Sequence, residues 1–175
     1  EFNENVERTA RVVEYAHKAG VSVEGELGRI AGCEQKLSVD EAEAMQTDPD
    51  EAKRFAEQTG VDILALSIGT VHGEYRFPPK INIPRLKKIS EKVSIPLVMH
   101  GGSGTGKEQT RAAVTAGIRK INYFTAMDTA PAPVLFEVIK RAGGEPVHYG
   151  RLARLAMEVM EEKVKEAMEI FLNSR

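Results

Sequence analysis

One cysteine, Cys33, is all the thiol chemistry that this sequence of 175 residues holds. A lone thiol excludes an internal disulfide framework and fits a reducing compartment, so the expected location is the cytoplasm. Neither sign of charge is in excess: 24 Lys and Arg stand against 26 Asp and Glu, a net charge of −2. That balance disfavours a polyanion as the main partner, and no nucleic-acid binding is expected. Long hydrophobic runs are also missing. No apolar stretch approaches the roughly 20 residues that a bilayer-spanning helix needs, so no membrane partner is expected. The opening residues, Glu1-Phe2-Asn3-Glu4, are acidic and polar, the opposite of a secretory signal. What is present is ordinary for a soluble globular chain, 42% apolar and 29% charged residues. The length fits one domain.

The hydrophobic pattern alternates between helical and extended periods. Val6, Ala10, Val13 and His17 fall on one face of a helix over residues 3–19, which Gly20 stops. Residues 21–27 read as a strand. Thr47-Asp48-Pro49-Asp50 opens a second helix, with an N-cap candidate and first-turn acids, that runs to Gly60. The short apolar run 62–68 has the length and composition of a buried strand. A helix over 82–93, a strand over 96–100, a helix over 107–116 closed by Gly117 and a strand over 120–125 follow. From Pro133 onward the chain is helical, ending in an amphipathic run over 152–172. Strands separated by helical crossovers pair in parallel and are covered by helices. Four such strands fit either a small open sheet or part of an eight-stranded barrel.

In parallel α/β folds the chemistry sits at the carboxyl ends of the strands. Those ends read Glu24-Gly-Glu26-Leu-Gly28, Gly69-Thr-Val-His72-Gly73, His100-Gly-Gly-Ser103-Gly104 and Asn122-Tyr-Phe-Thr125. His72 and His100 follow adjacent strands, and two imidazoles with a carboxylate suit Zn²⁺ or a similar metal. A loop histidine is more often a solvated, hydrogen-bonded side chain, and that is the reading for His148. His17, on an apolar helix face, reads as a satisfied core-edge residue. Gly101, Gly102 and Ser103 lie between a strand and a helix, where backbone N–H groups and a hydroxyl can hold a phosphate. A plain flexible turn is the competing reading. Asn122 and Thr125 lie after the last strand, where barrels typically form phosphate sites. The loop matches neither the P-loop nor the dinucleotide fingerprint. Lys120 is placed at the amino end of its strand, which disfavours a Schiff-base mechanism.

Val23-Glu-Gly-Glu-Leu-Gly28, Thr47-Asp-Pro49, Gly60-Val-Asp62, Ile68-Gly-Thr-Val-His-Gly73, Pro96-Leu-Val-Met-His-Gly-Gly-Ser-Gly104 and Gly117-Ile-Arg-Lys-Ile-Asn122 together resemble the class II ketose-bisphosphate aldolases. The resemblance runs from about residue 3 to about 125. It implies a (β/α)8 TIM barrel, of which residues 1–175 are the C-terminal part: about the last four strands plus C-terminal helices. It implies a zinc-dependent enzyme that cleaves fructose- or tagatose-1,6-bisphosphate to dihydroxyacetone phosphate and glyceraldehyde 3-phosphate. His72 and His100 match two of the family's three metal histidines, and Glu26 matches a glutamate that approaches the metal. Glu34 matches a proton-transferring glutamate on a mobile loop. Gly73, Gly101, Gly102 and Ser103 match the phosphate-binding loops, and Asn122 and Thr125 match substrate contacts. A monovalent cation near the phosphate and a dimeric or tetrameric homo-oligomer are implied as well.

The sequence departs from the family pattern in two ways. The family carries its catalytic aspartate and first metal histidine in an Asp-His pair, and no Asp-His dipeptide exists here. Tyr123-Phe124 stands where better-known members carry a small apolar residue followed by Asp, Asn or Ala. Aromatics there are expected to crowd the rim near the phosphate, which favours a ketose 1-phosphate with a non-phosphorylated far end as an alternative substrate. As these residues stand alone, a non-catalytic phosphate- or metal-binding half-barrel is the other alternative.

Overall fold

The computed structural model describes residues 1–29, 45–70 and 80–172. The chain opens on α1 (Phe2–His17) and then alternates: β1 (Glu24–Leu27), α2 (Pro49–Thr59), β2 (Ile63–Leu66), α3 (Ile83–Lys92) and β3 (Leu97–Met99). A 3-10 turn (Gly102–Gly104) leads into α4 (Lys107–Thr115) and β4 (Ile118–Ile121). Three helices close the chain, α5 (Thr125–Thr129), α6 (Pro131–Arg141) and α7 (Tyr149–Leu172). The four strands form one sheet in the order β1-β2-β3-β4, and every pair is parallel.

Local chemistry sets the helix ends where the sequence places them. Asp48 caps α2, its carboxylate accepting from the N–H groups of Asp50 and Glu51 at 2.9 and 3.0 Å. Pro49 occupies the first turn, and Gly60 ends the helix with φ of +70°, a left-handed conformation that suits glycine. Asn82 caps α3 by accepting from the Arg85 N–H at 3.1 Å.

The two faces of the sheet differ in chemistry because side chains alternate along a strand. In β1, Gly25 and Leu27 face the helices, and Glu24 and Glu26 face the other way. Gly25 is required by packing: a Cβ there would lie 2.9 Å from both the Phe55 ring and Val61. Registered beside these on the helix side are Leu64 and Leu66 of β2 and Leu97 and Met99 of β3. With Phe55, Leu86, Ile89 and Ile118 they form a core of almost complete burial. Glu26, Ala65, Val98 and Lys120 lie in one register row on the opposite, inner face.

That inner face is concave. Glu24 on β1 and Lys120 on β4 belong to the outermost strands, yet their charged ends are 2.7 Å apart. In a flat sheet three strand spacings separate them by about 14 Å, with a further offset of about 6–7 Å along the strands. Two extended side chains of about 11 Å combined reach do not bridge that diagonal. The sheet therefore curls, as a segment of a barrel wall does.

Strand β4 corrects the sequence reading. It spans Ile118–Ile121, so it starts directly after Gly117, two residues earlier than expected. An irregularity opposite the Leu97–Val98 step places Ile118 beside Leu97 and Lys120 beside Val98, leaving Arg119 as the extra residue. Lys120 is consequently not at the amino end of the strand but in its second half, on the inner face. Thr125 does not end a strand; it begins α5. The helical tail likewise begins earlier than Pro133 and is split into α5, α6 and α7.

His17 behaves as a satisfied but half-exposed residue, its Nε2 3.0 Å from the Asp62 carboxylate. The same Asp62 oxygen accepts the Val23 N–H at 2.6 Å, so one side chain ties α1 to the segment entering β1 and β2. The His17 bond, then the Val23 bond, hold the Asp62 carboxyl below its ordinary value. A folded-state pKa below the unfolded one stabilises the fold above the unfolded value, near 4, and this contribution vanishes as pH falls through the folded value. Thermal melts of wild type and Asp62→Asn should therefore differ near neutral pH and converge below about pH 4. A gap that stays constant from pH 7 to pH 3 would remove the carboxylate from this role.

Candidate active site at the strand ends

The expected site residues divide by where the described structure reaches. Glu34, His72 and Gly73 lie outside the described residues. Glu26, His100, Gly101, Gly102, Ser103, Asn122 and Thr125 are described, and the fold brings the first two of them together on the inner face.

His100 follows the buried β3 run Leu97–Met99, so the strand delivers its imidazole to the inner face two residues beyond Val98. Its side chain is 14% exposed, and its ring lies between two carboxylates. Nε2 is 2.8 Å from Glu24 Oε1, a hydrogen-bond distance. Nδ1 is 3.5 Å from Glu26 Oε2, too long for a good hydrogen bond. Glu24 in turn accepts from Lys120 Nζ at 2.7 Å through its other oxygen, and Lys120 also donates to Asn122 Oδ1 at 2.8 Å. Partial burial pushes the Glu24 carboxyl up, but the hydrogen bonds from Lys120 and His100 outweigh it and leave the carboxyl below its ordinary value.

The 3.5 Å gap between His100 Nδ1 and Glu26 Oε2 passes a simple test of fit. Nitrogen and oxygen donors at about 2.0–2.2 Å from one tetrahedral zinc lie about 3.4 Å apart. An imidazole nitrogen and a carboxylate oxygen are also the donor types zinc takes. Among the described residues no group of three or more His, Cys, Asp or Glu is placed to hold a metal ion. These two donors are thus a partial set, with the expected third donor, His72, outside the described residues.

The loop after His100 is built for close approach. Gly101 has φ of +69°, the left-handed region. Gly102 is pressed against the end of β4: a Cβ there would lie 2.4 Å from Ile121, and its N–H donates to the Asn122 carbonyl at 3.0 Å. The Gly102 amide is therefore engaged by the protein itself. Ser103 Oγ accepts the Phe124 N–H at 3.1 Å, which orients the hydroxyl and leaves its hydrogen to donate. Asn122 is fixed at both backbone groups, donating to the Met99 carbonyl and accepting from Gly102. Thr125 opens the short α5, half-buried beside this loop.

Two residues of this cluster gain a place that the sequence reading does not give them: Glu24 stands there in a strand-end motif without a role, and Lys120 is set aside at the amino end of its strand. The signal for Glu24 is present: Glu24 and Glu26 are two apart in a strand, so both face the same side. The signal for Lys120 is hidden by the irregularity in β4. The aromatic pair also departs from expectation. Tyr123 does not crowd the loop rim; its ring packs edge-on against Phe171 of α7, centroids 6.5 Å apart, and burial pushes its phenol up. Phe124 alone is left 62% exposed beside Ser103.

Comparison with known proteins gives one consistent family. The family model for class-II fructose-bisphosphate aldolase matches residues 1–175. The YdjI aldolase from Escherichia coli K12 is 32% identical, with a TM-score of 0.76 over 98% of this chain and 57% of that one. A Coccidioides immitis protein assigned as a fructose-1,6-biphosphate aldolase is 29% identical, with a TM-score of 0.79 over 99% of this chain and 60% of that one. Fructose-bisphosphate aldolase (Fba) from Campylobacter jejuni shares the fold, with a TM-score of 0.75 at 22% identity over 98% of this chain and 56% of that one. The chain spans less than two thirds of the length of these relatives, and its four parallel strands form part of their barrel fold. By this match over its whole length, the chain belongs to the class-II fructose-bisphosphate aldolase family.

Proposed function

We propose that the protein is a zinc-dependent aldolase that cleaves a ketose bisphosphate, fructose- or tagatose-1,6-bisphosphate, to dihydroxyacetone phosphate and glyceraldehyde 3-phosphate. The observation that carries this reading is the pairing of His100 Nδ1 with Glu26 on the inner face, one residue before the Gly101-Gly102-Ser103 loop. His100 and Glu26, with His72, would hold the metal. Bound zinc would supply a Lewis acid that polarises the ketose carbonyl. The loop 101–104, with Gly73, would hold the donor phosphate, and Ser103 would give it a hydroxyl hydrogen bond. Holding the donor in this way makes the cleavage effectively unimolecular. Asn122 and Thr125 would contact the substrate from the far side of the loop, and Glu34 would move the proton at the donor carbon. A monovalent cation near the phosphate belongs to the same reading. Residues 1–175 then make up the C-terminal part of one barrel domain.

A second reading rests on Phe124. An exposed ring beside Ser103 suits a ketose 1-phosphate whose far end carries no second phosphate. The single cysteine supports a cytoplasmic setting, and exposed Phe136, Ile139 and Met157 on α6 and α7 support a homo-oligomer. Among the described residues no helix is long and apolar enough to cross a membrane.

The test is release of dihydroxyacetone phosphate from fructose 1,6-bisphosphate, tagatose 1,6-bisphosphate and ketose 1-phosphates, with EDTA and with borohydride as separate treatments. Chelation should abolish cleavage and added zinc should restore it, while borohydride with substrate should trap nothing. Cleavage that survives EDTA and is killed by borohydride would replace the metal with a lysine Schiff base.

A further inference from the structure

Glu24 occupies an unusual position for a residue two places from the expected metal-side glutamate. Its two carboxylate oxygens are each taken by a different donor: Oε1 by His100 Nε2 at 2.8 Å and Oε2 by Lys120 Nζ at 2.7 Å. Lys120 reaches on to Asn122 Oδ1 at 2.8 Å. The side chains of Glu24 and His100 are only 25% and 14% exposed, so water competes weakly for these bonds. A carboxylate beside an ammonium group is ionised at neutral pH and can only accept hydrogen bonds. Nε2 of His100 is then the donor to Glu24, and Nδ1 is turned toward Glu26. An imidazole nitrogen and a carboxylate oxygen 3.5 Å apart stand at the spacing of two donors to one zinc ion.

We propose that Glu24 is a positioning residue for the metal site, holding His100 Nε2 as a donor so that Nδ1 faces Glu26 and the metal position, with Lys120 locking the carboxylate in place and linking it to Asn122. The inference rests on the reading of His100 as a zinc ligand. A ligand histidine depends on the partner of its other ring nitrogen for both tautomer and orientation, and loss of such a partner costs 10–100-fold in metal affinity. The chain also explains why a lysine stands in the inner row. Lys120 has no acceptor capacity, so it fixes which atom of the residue at position 24 must face it.

This gives a test that a purely structural ion pair would not pass. In Glu24→Gln the shape is kept, but Lys120 can donate only to the amide oxygen. The amide NH2 is then turned to His100 Nε2, which must become an acceptor and move its hydrogen to Nδ1. Metal-free intact protein labelled with 15N-histidine would be examined by long-range 1H–15N NMR, and zinc affinity measured by competition with a chelator. Wild-type His100 should show hydrogen on Nε2. Glu24→Gln should show it on Nδ1 and bind zinc about 10–100-fold more weakly. Adding Lys120→Met to Glu24→Gln frees the amide to turn its oxygen to Nε2–H, and should recover most of the affinity. Zinc binding by Glu24→Gln within about twofold of wild type would overturn the proposal, as would a wild-type His100 without hydrogen on Nε2. His100→Ala is the control for the underlying reading: if it binds zinc as wild type does, or if wild type binds none, that reading falls and takes this inference with it.

Discussion

Replacing Phe55 with alanine should cost the protein about 3–5 kcal/mol of stability, the range for deleting a fully buried aromatic ring. For a chain of this size that corresponds to a fall in Tm of roughly 6–20 °C. The size follows from where the ring sits. Phe55 on α2 has no exposure, meets the Phe2 ring of α1 edge-on at 6.3 Å, and lies against the backbone of β1 at Gly25. Three elements therefore lose contacts at once, and β1 cannot fill the gap there, because Gly25 offers no side chain. The neighbouring glycine supplies a check on the cause. Gly25→Ala alone should destabilise by overpacking, about 1–3 kcal/mol, since its Cβ would sit 2.9 Å from the ring. Combined with Phe55→Leu it should cost less than the sum of the two changes, a coupling that a double-mutant cycle reads directly. A Phe55→Ala protein that melts within a degree or two of wild type would show that this ring is not a keystone of the helix layer.

The second large effect is expected at His100. On the proposed function, His100→Ala should reduce kcat for cleavage by at least about 10³-fold, the loss of roughly 4 kcal/mol of carbonyl polarisation. Zinc content should fall with it. The fold should survive, because His100 lies beyond the buried part of β3, and the core around Leu97 and Met99 is untouched. Circular dichroism and melting temperature near wild type would therefore accompany the inactive enzyme. Cleavage within tenfold of wild type, in a folded variant, would remove His100 from the reaction.

The helices and most strands were legible because each residue's local signals agreed with its tertiary place. Asp48 with Pro49 and Gly60 marks both ends of α2, and the apolar runs of β2 and β3 can only be buried. Strand β4 was read two residues late. Its Ile-Arg-Lys-Ile pattern matches no period of two, and only the irregularity opposite β3 puts both isoleucines on the helix side. At the site, the position of His100 is legible from strand-end topology, and Glu26 is singled out by the family resemblance. The bond from Glu24 to His100 is not legible, because it depends on the curl of four strands, which sequence spacing does not express. Tyr123 was misplaced for a similar reason. Its partner, Phe171, is separated from it by two helices.

The extra residue in β4 sets the terms on which this wall can vary. Arg119 and Lys120 are consecutive cations, and the irregularity delivers the second to Glu24 while the first binds the Val114 and Ile118 carbonyls outside. Removing Arg119 would leave a regular strand that still presents lysine. Removing Lys120 would present arginine in its stead, and a guanidinium fork can take both oxygens of a carboxylate. His100 would then compete with the guanidinium for the Glu24 carboxylate. Drift in the length of this segment thus has unequal consequences one residue apart, although either deletion keeps the same apolar pair on the helix side.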